Sequence, residues 1–233
     1  MLWGRSSLEP MMADHHHNHN HAQDSDDGAS LAAEFLPMPR DPRIALTWKA
    51  ERREAVHCLW ALALRLTKLL DDVREPLIGQ IKLAWWRDML VMLAADANAL
   101  PKGEPLLADF QLHFSGFAGL DGLVDAAEAM LMAEDLQARQ SAAQGFGNKL
   151  FDLAARSQDA SVSVQNDAGY AWGLLWGAYM HRGTDDGTAM LSAAAQSKAA
   201  PRDYGRGGRG LVMLDRLAAQ IGQAQGARDL RRE

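Results

Sequence analysis

The sequence predicts an all-α fold, a single bundle of helices, and three observations support this prediction. Ala, Leu and Met are abundant, whereas Val, Ile, Tyr and Phe, which favour strands, are scarce. Apolar residues recur every three or four positions along most of the chain, and no segment shows the alternation of a strand. At 233 residues, with 48% of them hydrophobic, the chain has the length and the apolar content of one domain with flexible ends.

Residues 1–40 are predicted to be a disordered tail. They contain a low-complexity run from His15 to His21 with aspartates after it, so little apolar surface offsets the entropy lost on ordering. Imidazole groups bind zinc, nickel or copper, and a solvated tail with incidental metal affinity is the other interpretation of this run. Residues 41–225 form the predicted helical domain, and residues 226–233 form a frayed, charged C-terminus.

Two long helices are predicted to begin the domain. The first covers about residues 42–73, and Arg52 marks a potential break in it. The second covers about residues 76–97, because proline is tolerated in the first turn of a helix. Its inward stripe is predicted from the apolar residues that recur at helical spacing: Ile78, Ile81, Trp85, Met89, Met92 and Leu93.

Further helices are predicted along the rest of the chain. They cover about residues 104–114, 120–144, 148–157, 168–181, 185–197 and 211–223. A glycine pair around Phe146 is predicted to interrupt the longest of them. The helix at 168–181 is apolar nearly all round, which predicts a central position, and Asn166 or Asp167 is its predicted N-cap. Residues 201–210 read as a Gly/Arg-rich connector, either an exposed linker or a segment that touches phosphate or anionic lipid.

Charge and composition exclude several classes of protein. The net charge of −6 provides no basic footprint for nucleic acid. The single Cys58 cannot form an internal disulfide. The longest nearly uncharged apolar stretch, residues 168–180, is too short to cross a bilayer, and the first residues lack the apolar core of a secretory signal. We therefore expect a cytoplasmic protein with at most peripheral contact with the inner membrane.

The most distinctive segment is VREPLIGQIKLAWWR at residues 73–87. It resembles the motif that joins the first two long helices in the squalene/phytoene synthase family. Residues 53–70 resemble the family helix that carries the first aspartate-rich motif. Residues 147–155 resemble its G-x-L…A-A helix, and residues 169–174 resemble the helix that begins its second aspartate-rich motif. The resemblance covers about residues 43–182 and implies a trimmed isoprenoid-synthase-type helical bundle around a central cavity.

The resemblance also implies a chemistry that this chain is poorly equipped to perform. Synthases of this family ionise an allylic diphosphate, and magnesium ions held by carboxylates neutralise the leaving group. Here Thr67 and Lys68 stand where the leading aspartates belong, and Asp71 remains with Asp72 beside it. Where the second motif has Asn and Asp, this chain continues with apolar residues that include Trp176 and Tyr179. Their bulk is expected to fill space that the family leaves for isoprenoid chains.

Six residues are candidates for binding a substrate or another anion: Lys68, Asp71, Asp72, Arg74, Lys82 and Arg87. Asp71 and Asp72 are also weak candidates for metal ligands, with Mg²⁺ as the cofactor if the chain is a synthase. The alternative for these aspartates is a helix-end salt bridge with Lys68 or Arg74. The alternative for the basic residues is a solvated face. Trp85 and Trp86 point to different helix faces, so they are core residues or one of them lines a groove.

Three functional hypotheses follow from the resemblance and the missing aspartates. The first is a pseudoenzyme, a noncatalytic binding or assembly factor whose partner is a respiratory-complex subunit, as in the family's complex I assembly factors. The second is a prenyltransferase of isoprenoid biosynthesis that condenses isoprenyl diphosphates with a degenerate metal site. The third is a carrier of an isoprenoid or another lipid in the bundle cavity.

Overall fold

The computed structural model describes residues 34–159, 161–162, 164–197 and 208–229 of the chain, with side chains described up to residue 225 in the last segment. Within these ranges the protein is all-helical, as predicted, and has no strand. We number the helices α1 (Pro42–Ala45), α2 (Arg53–Asp72), α3 (Pro76–Ala95), α4 (Pro105–Phe114), α5 (Asp121–Leu131), α6 (Leu136–Gln158), α7 (Tyr170–Met180), α8 (Asp185–Gln196) and α9 (Arg209–Asp229). The predicted disorder of residues 1–33, the histidine run and most of the Gly/Arg-rich connector lie outside the described residues.

The long helix predicted at residues 42–73 is interrupted, as the sequence suggested. α1 is a single turn capped by the Asp41 carboxylate, which accepts a hydrogen bond from the backbone N–H of Arg43. A short 3₁₀ helix, Ala50–Arg52, then leads directly into α2. The non-helical residues 46–49 therefore interrupt the predicted helix a few residues before Arg52, where the 3₁₀ helix passes into α2.

The predicted interruption around Phe146 is wrong. The break falls earlier, after Leu131, and α6 restarts at Asp135, whose carboxylate accepts a hydrogen bond from the Ala138 N–H at 2.8 Å. Gly147 lies inside α6, where an added Cβ would be 2.2 Å from the Gly169 carbonyl oxygen and 2.8 Å from the Gly173 Cα. This glycine allows α6 and α7 to approach each other closely and does not end the helix.

The central position predicted for the helix after residue 168 is confirmed. All residues of α7 from 171 to 179 are buried, and α7 packs against α6, α8 and α9. Its N-cap is Gly169 in the left-handed conformation, with φ 73°, so the predicted cap at Asn166 or Asp167 is wrong. The Asn148 amide donates to the backbone carbonyls of residues 165 and 168, and this pair of bonds holds the loop before α7 in place.

Trp172, near the start of α7, joins distant parts of the chain. Its indole N–H donates to the Pro37 carbonyl at 3.0 Å, and its backbone N–H donates to the Asp215 carboxylate of α9 at 3.1 Å. Leu36 is also buried, and the Phe35 and Tyr179 rings lie 5.9 Å apart. A buried indole N–H requires an acceptor, and here that acceptor is Pro37. The packed part of the chain therefore begins before residue 41, where the sequence predicts the domain boundary.

The orientation predicted for α3 is wrong for half of its stripe. The side of α3 that faces the protein carries Gly79, Leu83, Trp86, Met89, Leu90 and Leu93. Ile78, Ile81 and Trp85, which we predict to point inward, are exposed. The helix has apolar residues on all sides, so spacing alone does not distinguish its inner face from its outer face.

Among the described residues, no helix combines the length and the apolar character needed to cross a membrane.

Candidate anion-binding pocket

Three of the six candidate residues meet in one pocket between α2, α3 and the start of α4. Its volume is about 330 Å³. Lys68 and Asp72 come from α2 and Lys82 comes from α3, and the complete lining is Arg65, Lys68, Leu69, Asp72, Lys82, Trp85, Trp86 and Glu104. The pocket is therefore built by the two helices that flank the VREPLIGQIKLAWWR segment.

The local helical structure explains why these side chains converge. Arg65, Lys68 and Asp72 are spaced by three and four residues, so they lie along one face of α2. Lys82 and Trp85 have the same relation on α3. Glu104 is the N-cap of α4, and its carboxylate accepts a hydrogen bond from the Leu106 N–H at 3.4 Å.

The pocket has a surplus of positive charge. Three cationic side chains and two carboxylates line it, and Arg65 pairs with Glu104 at 2.8 Å. In the part of the chain that the structure describes, neither Lys68 nor Lys82 forms an ion pair. Two ammonium groups are therefore available to an anion that enters the pocket.

Tryptophan side chains provide the apolar wall of the pocket. Trp86 is buried, whereas Trp85 is partly exposed, and the two rings meet edge to face with centroids 5.2 Å apart. One tryptophan therefore belongs to the core and both line the groove. Such a wall accommodates the apolar part of a ligand whose charged part lies against the lysines.

Asp71 points away from this pocket. Its carboxylate accepts a hydrogen bond at 2.9 Å from Arg182, which follows α7, rather than from Lys68 or Arg74. The guanidinium of Arg182 also lies 4.6 Å from the centre of the Tyr179 ring. The hydrogen bond that Arg182 donates to Asp71 raises the pKa of the guanidinium. Asp71 therefore joins the end of α2 to the residues that follow α7, whereas the adjacent Asp72 lines the pocket.

The remaining two candidates lie outside the pocket. Arg87 pairs with Asp125 at 2.7 Å and with Glu128 at 2.5 Å, both on α5, and these bonds raise its pKa. It joins α3 to α5. Arg74 is exposed in the turn between α2 and α3.

Thr67 and Trp176 take part in contacts of the core. Thr67 is 2% exposed, and its hydroxyl donates to the Ala63 carbonyl at 2.6 Å. The same hydroxyl accepts a hydrogen bond from the indole N–H of Trp176 at 2.8 Å. Trp176 in turn stacks on Phe146, with ring centroids 4.0 Å apart. The space between α2, α6 and α7 at this level is filled by aromatic side chains.

Carboxylates do not converge in a way suited to a metal ion in the described ranges. Across these residues, no group of three or more His, Cys, Asp or Glu side chains is arranged to hold one. Asp71 and Asp72 are adjacent in the sequence, yet one faces Arg182 and the other faces the pocket.

Two charged residues of the pocket, Arg65 and Glu104, were missed from the sequence. Arg65 precedes Lys68 by three positions, so helical spacing alone would have placed it on the same face. Glu104 gives no such signal, because its place depends on how α4 packs against α2.

No protein family, no curated protein and no solved structure matches this chain.

Proposed function

We propose that this chain is a squalene/phytoene synthase-like protein that works as a noncatalytic binding or assembly factor, with a pocket that holds an anionic ligand. The observation that carries this proposal is the burial of Thr67 and its hydrogen bond to Trp176. Residues at positions where a synthase needs metal-binding carboxylates here stabilise the packing of α2 against α7.

The electrostatics of prenyl transfer support the absence of turnover. A diphosphate leaving group needs divalent cations, which require several oxygen ligands of negative charge. A protonated Lys68 cannot ligate a metal, and the Asp71 carboxylate is engaged by Arg182. Asp72 is left as the one candidate motif carboxylate that lines the pocket.

The composition of the pocket supports binding of an anion. Lys68 and Lys82 provide charge that suits phosphate oxygens, and the tryptophans provide adjacent apolar surface. The volume of about 330 Å³ lies near the lower end of the roughly 300–1,000 Å³ common for ligand sites. It therefore suits a phosphate-bearing group better than a long isoprenoid chain. The aromatic filling of the core also disfavours the carrier hypothesis.

The decisive experiment incubates the full chain with Mg²⁺ and farnesyl or geranylgeranyl diphosphate. We expect no release of inorganic diphosphate above the rate without protein, and no C30 or C40 product. Formation of either product, lost in Asp72→Asn, would refute the proposal in favour of a prenyltransferase.

An assembly role has a separate test. A tagged full chain is captured from a native extract, and its partners are identified and quantified. A respiratory-complex subunit recovered in stoichiometric amount, and again with purified components, supports an assembly factor. Recovery of extractable isoprenoid or lipid in stoichiometric amount instead supports the carrier hypothesis.

A further inference from the structure

Besides its lysines, the pocket between α2, α3 and α4 presents a carboxylate that is not neutralised by a neighbour. Glu104 is engaged by Arg65 at 2.8 Å, whereas Asp72 forms no ion pair in the segments that the structure describes. Three cationic side chains and two carboxylates line the pocket, which leaves it a net charge of +1. A ligand that matches all of these groups carries one excess negative charge and also a positive group for Asp72.

Helix α2 sets the separation between the cationic and the anionic part of this surface. Lys68 and Asp72 are one turn apart, which is about 6 Å along the helix axis. Lys82 lines the same pocket from α3, so two ammonium groups can hold a phosphate while Asp72 accepts hydrogen bonds from an ammonium group of the ligand. A spacer of two carbons, as in ethanolamine, separates a phosphate from an ammonium by a similar distance.

Trp85 provides a second contact for a cationic group of the ligand. It is 41% exposed where it lines the pocket, and the buried Trp86 packs against it edge to face with ring centroids 5.2 Å apart. An ammonium group over an indole ring is attracted by the ring electrons. A purely anionic ligand gains no such contact, and the Asp72 carboxylate repels it.

We propose that the pocket binds an aminoalkyl phosphate, a phosphate monoester whose ammonium group lies two carbons away. The inference rests on the anion-binding pocket proposed above and names the class of its ligand. Lys68 and Lys82 hold the phosphate, and Asp72 and Trp85 hold the ammonium. Such a monoester has a net charge of about −1 near pH 7, which balances the pocket. The corresponding diester, a phospholipid headgroup, is neutral and matches the pocket less well.

Isothermal titration calorimetry of the full chain with O-phosphoethanolamine and with ethyl phosphate tests the inference, because these two ligands differ in the ammonium group. We expect O-phosphoethanolamine to bind about fivefold more tightly, a modest factor because Asp72 is exposed to solvent. Asp72→Asn should remove this preference. Asp88→Asn is the matched control and should retain it, since Asp88 is an exposed carboxylate of α3 outside the pocket lining and both substitutions change the charge of the protein equally.

The outcomes separate this inference from the proposed function. Equal binding of the two phosphates, or a preference that Asp72→Asn leaves intact, would overturn the inference but not the anion-binding pocket. No binding of either ligand or of inorganic diphosphate would refute the pocket itself. Glycerophosphoethanolamine, the soluble diester, represents a lipid headgroup, and tighter binding of this diester would overturn the monoester in favour of a lipid. Circular dichroism confirms that both variants fold.

Discussion

At the scale of single residues, the contrast between Thr67 and Lys68 is informative. The two are adjacent on α2, but Thr67 faces the core and Lys68 faces the pocket. Thr67 has a packing role in the core, and Lys68 brings a positive charge to the pocket. The hypothesis of a binding protein therefore rests on two side chains with separable effects.

Thr67→Asp should destabilise the protein by about 3 kcal/mol, because it places a carboxylate in the core without a cation. Urea unfolding followed by circular dichroism measures the loss. Thr67→Val is the matched control. It preserves the shape, removes the hydrogen bonds and should cost about 1–2 kcal/mol. A fully stable Thr67→Asp variant that binds Mg²⁺ would contradict our assignment of this position to packing.

Lys68→Ala and Lys82→Ala should each weaken the binding of inorganic diphosphate by about tenfold, since each removes a charge-assisted hydrogen bond. Isothermal titration calorimetry provides the dissociation constants. Lys102→Ala, an exposed lysine between α3 and α4, is the control and should leave binding unchanged. Equal effects of all three substitutions would indicate attraction by overall charge and not by the pocket.

How far the sequence predicts the site is visible in these residues. Lys68, Asp72 and Lys82 converge because helical spacing and a tight connection between α2 and α3 bring them together, and both features are local. The partner of Asp71 could not be predicted, because Arg182 is 111 residues away and reaches it only through packing of α7 on α2. Glu104 depends on tertiary packing in the same way.

At the scale of elements, a glycine within a helical segment either ends the helix or allows another helix to pack closely against it. The sequence alone does not distinguish these two roles. Gly145 and Gly147 were both interpreted as a break in a helix, yet both lie inside α6. A Cβ on Gly147 would collide with the backbone around Gly169, whereas a Cβ on Gly145 would have no atom within 4 Å. One glycine is required for helix packing and the other is not.

Gly147→Ala should destabilise the protein by about 2–4 kcal/mol, because α6 and α7 must move apart. Gly145→Ala, two residues earlier on the same helix, should instead stabilise it by about 0.5–1 kcal/mol through the higher helix propensity of alanine. Thermal and urea unfolding of the two variants provide the comparison. Similar effects of both substitutions would show that the contact between α6 and α7 is looser than the structure indicates.

The helices themselves could largely be predicted, whereas their orientation could not always be. α7 is apolar all round and central, as expected for such a helix. α3 is also apolar on all sides but lies at the surface, so the same pattern led to the wrong inner face. The position of a helix in a bundle depends on contacts that periodicity does not contain.

At the scale of the whole molecule, two half-buried histidines link stability to pH. Burial is the largest cause that lowers the pKa of His57 and of His181 below the usual 6.5, and nearby Arg40 and Arg139 lower them further. The folded state therefore binds protons less readily than the unfolded chain at these two positions. Their contribution to stability is present above about pH 6.5 and is lost as the pH falls through the lowered values.

The double variant His57→Gln, His181→Gln should show a shallower loss of stability than the wild type between about pH 7 and pH 5, because its side chains no longer take up protons on unfolding. Urea midpoints measured across this range give the slope. Circular dichroism at pH 7.5 checks that the variant is folded. An unchanged slope would assign the acid sensitivity to the carboxylates instead.

Trp172 joins three parts of the chain that are synthesised at different times. Its two acceptors, Pro37 and Asp215, lie 135 and 43 residues away along the chain. Because the chain is synthesised from its N-terminus, Pro37 already exists when Trp172 is made, whereas Asp215 is added 43 residues later. The hydrogen bond that joins α7 to α9 can therefore form only after most of the bundle has been synthesised.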